Sequence, residues 1–181
     1  MPISPLSRFR ALIADGRYAR AYDYSVSFLD TPVDFFPTDD LDMRCETFSF
    51  PSQNIETTQD NIRIGPIREH AFSVNYGSVT GTFLVDENLK EKRFFEDWQR
   101  KIFDTESFKV EYYDTYVADI RVKQFNQKRG AGSVGVDGPS YQVLLKEAFP
   151  KTVTQLDVGT ANGEFLRVSV EFQYHHWIKE I

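Results

Sequence analysis

Apolar residues return at every second position through much of this chain. From Tyr22 to Phe28, Tyr22, Tyr24, Val26 and Phe28 alternate with Asp23, Ser25 and Ser27. A period of two over seven residues is a strand buried on one face. The same period predicts strands over 43–50 (MRCETFSF, ended by Pro51), 79–85 (VTGTFLV) and within 108–125. In that last stretch Tyr116, Ala118, Ile120 and Val122 oppose Asp119, Arg121 and Lys123. NIRIGPI and HAFSVNYG read as two extended runs separated by a break or bulge at Gly65-Pro66. YQVLLKEAFP is a strand stopped by Pro150. TVTQLDV and FLRVSVEFQYHHW close the chain as a hairpin across GTANG, with Leu166, Val168, Val170, Phe172 and Tyr174 facing in.

Two stretches change period. In 6–14, Leu6, Phe9, Leu12 and Ile13 recur at helical spacing, and Asp15-Gly16 ends a short amphipathic helix. From about 88 to 103, Phe94, Phe95, Trp98 and Ile102 fall on one side of a helix, with Lys90, Glu91, Arg93, Glu96, Asp97 and Arg100 on the rest. Asn88 followed by Glu91 predicts a capping box at its start. Such a helix lies on a sheet or a neighbour, docked through Phe94, Phe95, Trp98 and Ile102. Residues 30–42 carry two prolines and five aspartates without a basic residue, and read as a solvated loop. Their spacing lacks the Gly and Glu of a calcium loop.

Composition narrows the class. The chain has 181 residues, 16 Phe and 9 Tyr, enough for one core and one domain over 1–181. Its formal charge of -6 carries no basic cluster, which argues against gripping nucleic acid through phosphate. A lone cysteine excludes a disulfide framework and a cysteine-rich zinc site. No run approaches the roughly 18 apolar residues of a membrane span, and MPISPLSRFRALIADGRYAR lacks the apolar stretch expected of a signal peptide. A soluble protein folded in the cytoplasm is expected.

The chemical motifs are weak. GAGSVG at 130–135 spells G-x-G-x-x-G, but a strand follows where the dinucleotide fingerprint needs a helix, so a loop tip between strands is expected. His175 and His176 are neighbours on a predicted strand and should point to opposite faces, unable to share a metal. Cys45, within an alternating strand, reads as a small packed side chain rather than a nucleophile. No catalytic residue, cofactor site or metal site is predicted, and the chain reads as a non-enzyme. From pattern alone it is a mainly β protein with one lateral helix.

The order of elements says more. DGRYARAYDYSVSF, a small helix leading into the first strand, is followed by MRCETFSFPS, a strand ending at a small residue and proline. FSVNYGSVTGTFLVDENLKEKRFFEDWQ runs from a β segment into an acidic helix start and F-x-x-W-Q. DIRVKQFNQ, VLLKEAFPKTVTQLDV and VSVEFQYHHW complete the series. In this order the chain, over roughly residues 8–177, resembles the tail tube protein family of contractile-tailed bacteriophages. The acidic 30–42 segment and the glycine-rich 130–139 loop look like insertions relative to that family.

The resemblance implies a β-sandwich or partial barrel whose copies complete one continuous barrel in a hexameric ring. Stacked rings would form the inner tube of a virion tail, the conduit for DNA ejection. Its partners would be sheath protein outside, baseplate and tail-terminator proteins at the ends, and tape-measure protein and DNA passing through the lumen without specific binding. On that reading Arg63, Ile64, Arg68, Gly132, Val134 and Asp137 are candidate contacts between subunits or rings. The lumen would be lined by segments around 43–50 and 62–76. The alternatives are a baseplate tube initiator or tube terminator of the same fold, the inner tube of an injection or secretion machine, or a small-molecule-binding barrel or enzyme. The last predicts a monomer with a closed pocket.

Overall fold

Alternating strands with one apolar face must curl around what they bury, and here they curl nearly into a ring. The computed structural model describes residues 5–14, 21–33, 38–60, 65–125, 139–159 and 165–180. In chain order these contain α1 (Pro5–Ala14), β1 (Tyr24–Leu29), α2 (Thr38–Met43), β2 (Cys45–Phe48), β3 (Gln53–Asp60), β4 (Arg68–Tyr76) and β5 (Val79–Leu84). There follow α3 (Lys90–Ile102), α4 (Tyr113–Tyr116), β6 (Ala118–Gln124), β7 (Tyr141–Val153), β8 (Arg167–Gln173) and β9 (His176–Glu180). The protein is mainly β.

The main sheet runs β1-β6-β7-β8-β5-β2, all antiparallel, and β9 also pairs with β7. Register puts apolar residues opposite one another on the inner face: Val26 faces Val122, Phe28 faces Ile120, Val122 faces Val143 and Phe83 faces Val168. All of these are buried. At about 1.5–3 kcal/mol for each large side chain withdrawn from water, this register is strongly specified. The two ends of the path approach each other, because the Tyr24 hydroxyl on β1 donates to the Cys45 carbonyl on β2 at 2.8 Å.

The gap between those ends is filled by α2, which corrects the expected loop at 30–42. Leu41 is fully buried, and Asp42 accepts hydrogen bonds from the Val26 N–H (2.6 Å) and the Ser25 hydroxyl (2.9 Å). The helix therefore covers the outer edge of β1, an edge that would otherwise invite another strand. Asp42→Ala should leave the Val26 N–H without its acceptor and cost about 1–3 kcal/mol in urea unfolding. An unchanged midpoint would show that water serves that edge equally well.

Other elements also differ from expectation. Tyr22 is exposed in the turn before β1 rather than facing inward with Tyr24. A strand, β3, occupies 53–60, where the polar run QNIETTQD gave no alternation. The expected NIRI strand, with Arg63 and Ile64, lies outside the described residues, while Gly65 does break the chain, at φ 144°. The extended reading of 108–125 is interrupted by α4.

Pro150 does not stop β7. The strand continues to Val153, with Pro150 opposite Phe172 at a register shift. Gln99 of α3 donates to the Pro150 and Lys151 carbonyls (3.3 and 3.2 Å), so a helix side chain serves a stretch beyond the reach of β6. Just before it, Asp119 faces a bulge. Glu147 adopts φ 55°, and the Asp119 carboxylate takes the Lys146 ammonium (2.5 Å) and the Glu147 N–H (3.2 Å). This bend lets one strand pair first with β6 and β9 and then with β8. The final predicted strand is likewise two strands, parted at Tyr174-His175.

Candidate assembly surfaces

The helix α3 supplies the first surface. Phe94, Phe95 and Trp98 are fully buried, and Ile102 is half-buried against the same core. Phe95 sits among rings from three strands: Phe28 of β1 (6.4 Å), Phe83 of β5 (5.1 Å) and Phe172 of β8 (5.8 Å). Trp98 packs edge-on to Phe94 and donates its indole N–H to the Tyr116 carbonyl at 2.7 Å. The outer face holds i,i+4 pairs, Lys92 with Glu96 at 3.0 Å and Arg93 with Asp97 at 3.7 Å. Each contributes only about 0.2–0.5 kcal/mol, so this face is a charged surface rather than a stabilising one.

Glu91 corrects the capping-box expectation. The residue before the helix is Leu89, in the left-handed region at φ 54°, without a side-chain cap. Glu91 is fully buried instead of solvated. Its carboxylate accepts from the Asp86 N–H at 2.8 Å and pairs with the Arg44 guanidinium at 2.5 Å. It thus ties the helix start to the β2 entry. Only the two-sequence-segment geometry reveals this, since Arg44 lies 47 residues away.

The second surface is the β3–β4 hairpin, which pairs with no other strand among the described residues. Every residue of its two strands is exposed except the half-buried Glu56, Asp60 and Tyr76. Ile55 (54% exposed) and Val74 (45%) are direct partners across the ladder, and Phe72 (65%) lies near them. Arg68 is exposed where β4 begins, opposite Asp60. The hairpin's base is fixed: Tyr174 donates to the Ser52 carbonyl, its ring packs on Tyr76, and a Cβ at Gly77 would meet Ser52 Oγ at 2.6 Å. An isolated two-stranded ribbon with exposed apolar residues is marginal in water and asks for a partner. The third surface is an aromatic ledge after α3, where Phe108, Val110 and Tyr112 are exposed beside an open 490 Å³ groove between α3 and β7.

The remaining candidates resolve as follows. The loop 126–138, with GAGSVG, Gly132, Val134 and Asp137, lies outside the described residues. Cys45 is half-buried, and that burial pushes its thiol up to about 12, so it holds its proton at neutral pH. The groove lining contains neither His nor Cys. Among the described residues no cluster of three metal-ligating side chains forms, and no helix is long and apolar enough to cross a membrane. His175 and His176, however, do not point to opposite faces. The break between β8 and β9 brings their Nδ1 atoms within 3.1 Å.

The fold is a curved antiparallel sheet with α2 and α3 docked on it and a projecting hairpin, and its class is that of tail tube proteins, as the family and structural likenesses show. The family model for the phage tail tube protein matches residues 16–180, and the chain belongs to that family. Its structure is similar to a chain of the anti-feeding prophage baseplate (TM-score 0.63, 19% identity, 90% of this chain and 95% of that one). It is also similar to a chain of the sheath–tube complex of the extracellular contractile injection system PVC in its extended state (TM-score 0.64, 15%, 99% and 99%). A third likeness is to a chain of the sheath/tube terminator of that system (TM-score 0.64, 15%, 91% and 97%). No curated protein sequence matches the chain.

Proposed function

We propose that this protein is the repeating subunit of an inner tube, assembling as hexameric rings that stack into the conduit of a contractile phage tail. The observation that carries the reading is the β3–β4 hairpin: a long ribbon, anchored at its base, with apolar side chains on display and no further strand partner among the described residues. A second copy can supply that partner. A contact of this head-to-tail kind closes into a ring when its rotation allows. The charged outer face of α3 would then look toward sheath protein. Six copies at -6 each place -36 on a ring. A lumen without excess positive charge lets DNA and tape-measure protein pass, because phosphate contacts multiply affinity steeply. No catalysis is assigned.

Negative-stain microscopy of the purified chain tests this: rings with six subunits, or open tubes, are expected. Phe72→Asp with Val74→Asp should abolish them while circular dichroism stays unchanged, since these side chains lie outside the core. A chain that remains monomeric at every concentration, or rings that survive both charges, would overturn the reading. A tube-end role, in a baseplate or terminator, is the second reading, favoured by structural likeness to chains from both settings. It predicts single rings that do not stack.

A further inference from the structure

Tyr174 and His175 interrupt the extended chain between β8 and β9, both of which pair with β7. The His175 N–H donates to the Lys146 carbonyl at 3.0 Å, and His176 then resumes the ladder opposite Lys146. This kink cancels the up-and-down alternation of a strand and turns two neighbouring imidazoles toward each other. Their Nδ1 atoms are 3.1 Å apart, their centroids 5.0 Å apart, and their planes meet at 84°. Two imidazoles approaching nitrogen to nitrogen in a straight line would hold their centroids farther apart than this. At least one ring axis therefore leans off that line, as it does when two ligands converge on a third atom.

We propose that His175 and His176 form a two-imidazole chelate for a divalent transition metal. Nitrogens bound about 2.0–2.1 Å from one ion lie roughly 2.9–3.4 Å apart at angles between square-planar and tetrahedral, and the observed spacing falls inside that window. Without metal, the two nitrogens lie at hydrogen-bond distance, 3.1 Å; the ion would sit between them. Imidazole selects Cu²⁺, Ni²⁺ and Zn²⁺, with Cu²⁺ bound tightest, while Mg²⁺ and Ca²⁺ prefer oxygen. The site is open. His175 is exposed, and no third His, Cys, Asp or Glu joins the pair among the described residues, so water completes the coordination. The cation across the ladder, Lys146, is already paired with Asp119 at 2.5 Å, which limits its repulsion of a bound ion. Bound metal would fix the kink that separates β8 from β9. The site depends on neither ring formation nor a tail, and so goes beyond the tube reading.

The test is a Cu²⁺ titration of the full chain near neutral pH, by calorimetry and by electron paramagnetic resonance. One Cu²⁺ per chain is expected, with hyperfine splitting from two nitrogens. His175→Ala and His176→Ala should each weaken binding at least about tenfold and remove one nitrogen. His70→Ala, which replaces the third histidine, should change neither. His175→Asn and His176→Asn are the second pair, should alanine disturb the kink. Absence of saturable binding would overturn the proposal. So would equal affinity in the doubly substituted protein, or a signal with one nitrogen or none.

Discussion

Trp98→Ala is expected to lower the free energy of unfolding by about 3–5 kcal/mol. Three losses combine. The indole is among the largest fully buried side chains, so its removal leaves a cavity that the sheet beneath, fixed by its hydrogen-bonded ladders, fills only in part. The edge-on contact with Phe94 goes, and such ring pairs contribute about 0.5–1.5 kcal/mol beyond their area. The Tyr116 carbonyl also loses its 2.7 Å donor at the turn into β6. Against a typical total of about 5–15 kcal/mol this is a large fraction. With a urea slope of about 1–3 kcal/mol per molar, the midpoint should fall by at least about 1 M. Trp98→Phe keeps most of the volume and loses the indole donor, so its cost should be well below that of alanine. If the alanine variant unfolds at the wild-type midpoint, α3 is not held to the sheet by this side chain.

Period-two alternation carried the core, and helical spacing carried α3. Val26, Phe28, Ile120, Val122, Val168, Val170 and Phe172 are buried where the pattern put them, because one buried face leaves a strand no choice of register. The same rule explains what was illegible. Among the described residues β3 has no apolar layer on either face, so nothing selects for alternation, and Ile55 is its lone large aliphatic residue. β7 crosses a proline because Gln99, distant in sequence, meets the carbonyls there. In the acidic 30–42 segment five aspartates suggested water, yet Leu41 and Asp42 look inward to β1. Alternation sets His175 and His176 on opposite faces only where a strand runs on, and here the chain kinks between β8 and β9. Each of these errors falls where a long-range contact, or a surface with no partner inside the chain, decides the local structure. The hairpin carrying the tube proposal belongs to that second group, which is why the resemblance to a family, rather than local pattern, pointed to assembly.

Glu91→Ala should be nearly as damaging as loss of the indole, at about 2–4 kcal/mol, for a different reason. Alanine is a good helix former, so the helix itself loses nothing. What is lost is the acceptor for two donors. The Asp86 N–H, at the turn into α3, is left without its 2.8 Å partner. Arg44 loses its 2.5 Å carboxylate and, among the described residues, is left with the more distant Asp86, at 3.9 Å. Arg44 is one-third exposed, so water recovers part of the guanidinium's solvation, and the cost stays below the roughly 5 kcal/mol of a fully buried broken pair. A double-mutant cycle separates the contributions. If the ion pair dominates, Arg44→Met with Glu91→Met should cost less than the two single changes together, by about 1–3 kcal/mol. If the Asp86 N–H dominates, the changes should add and Glu91→Gln should recover most of the stability, since an amide oxygen can still accept that bond. A Glu91→Ala protein as stable as wild type would mean that the buried carboxylate contributes nothing net, its desolvation cancelling both contacts. The junction of β2 and α3 would then have to be held by the aromatic seam alone.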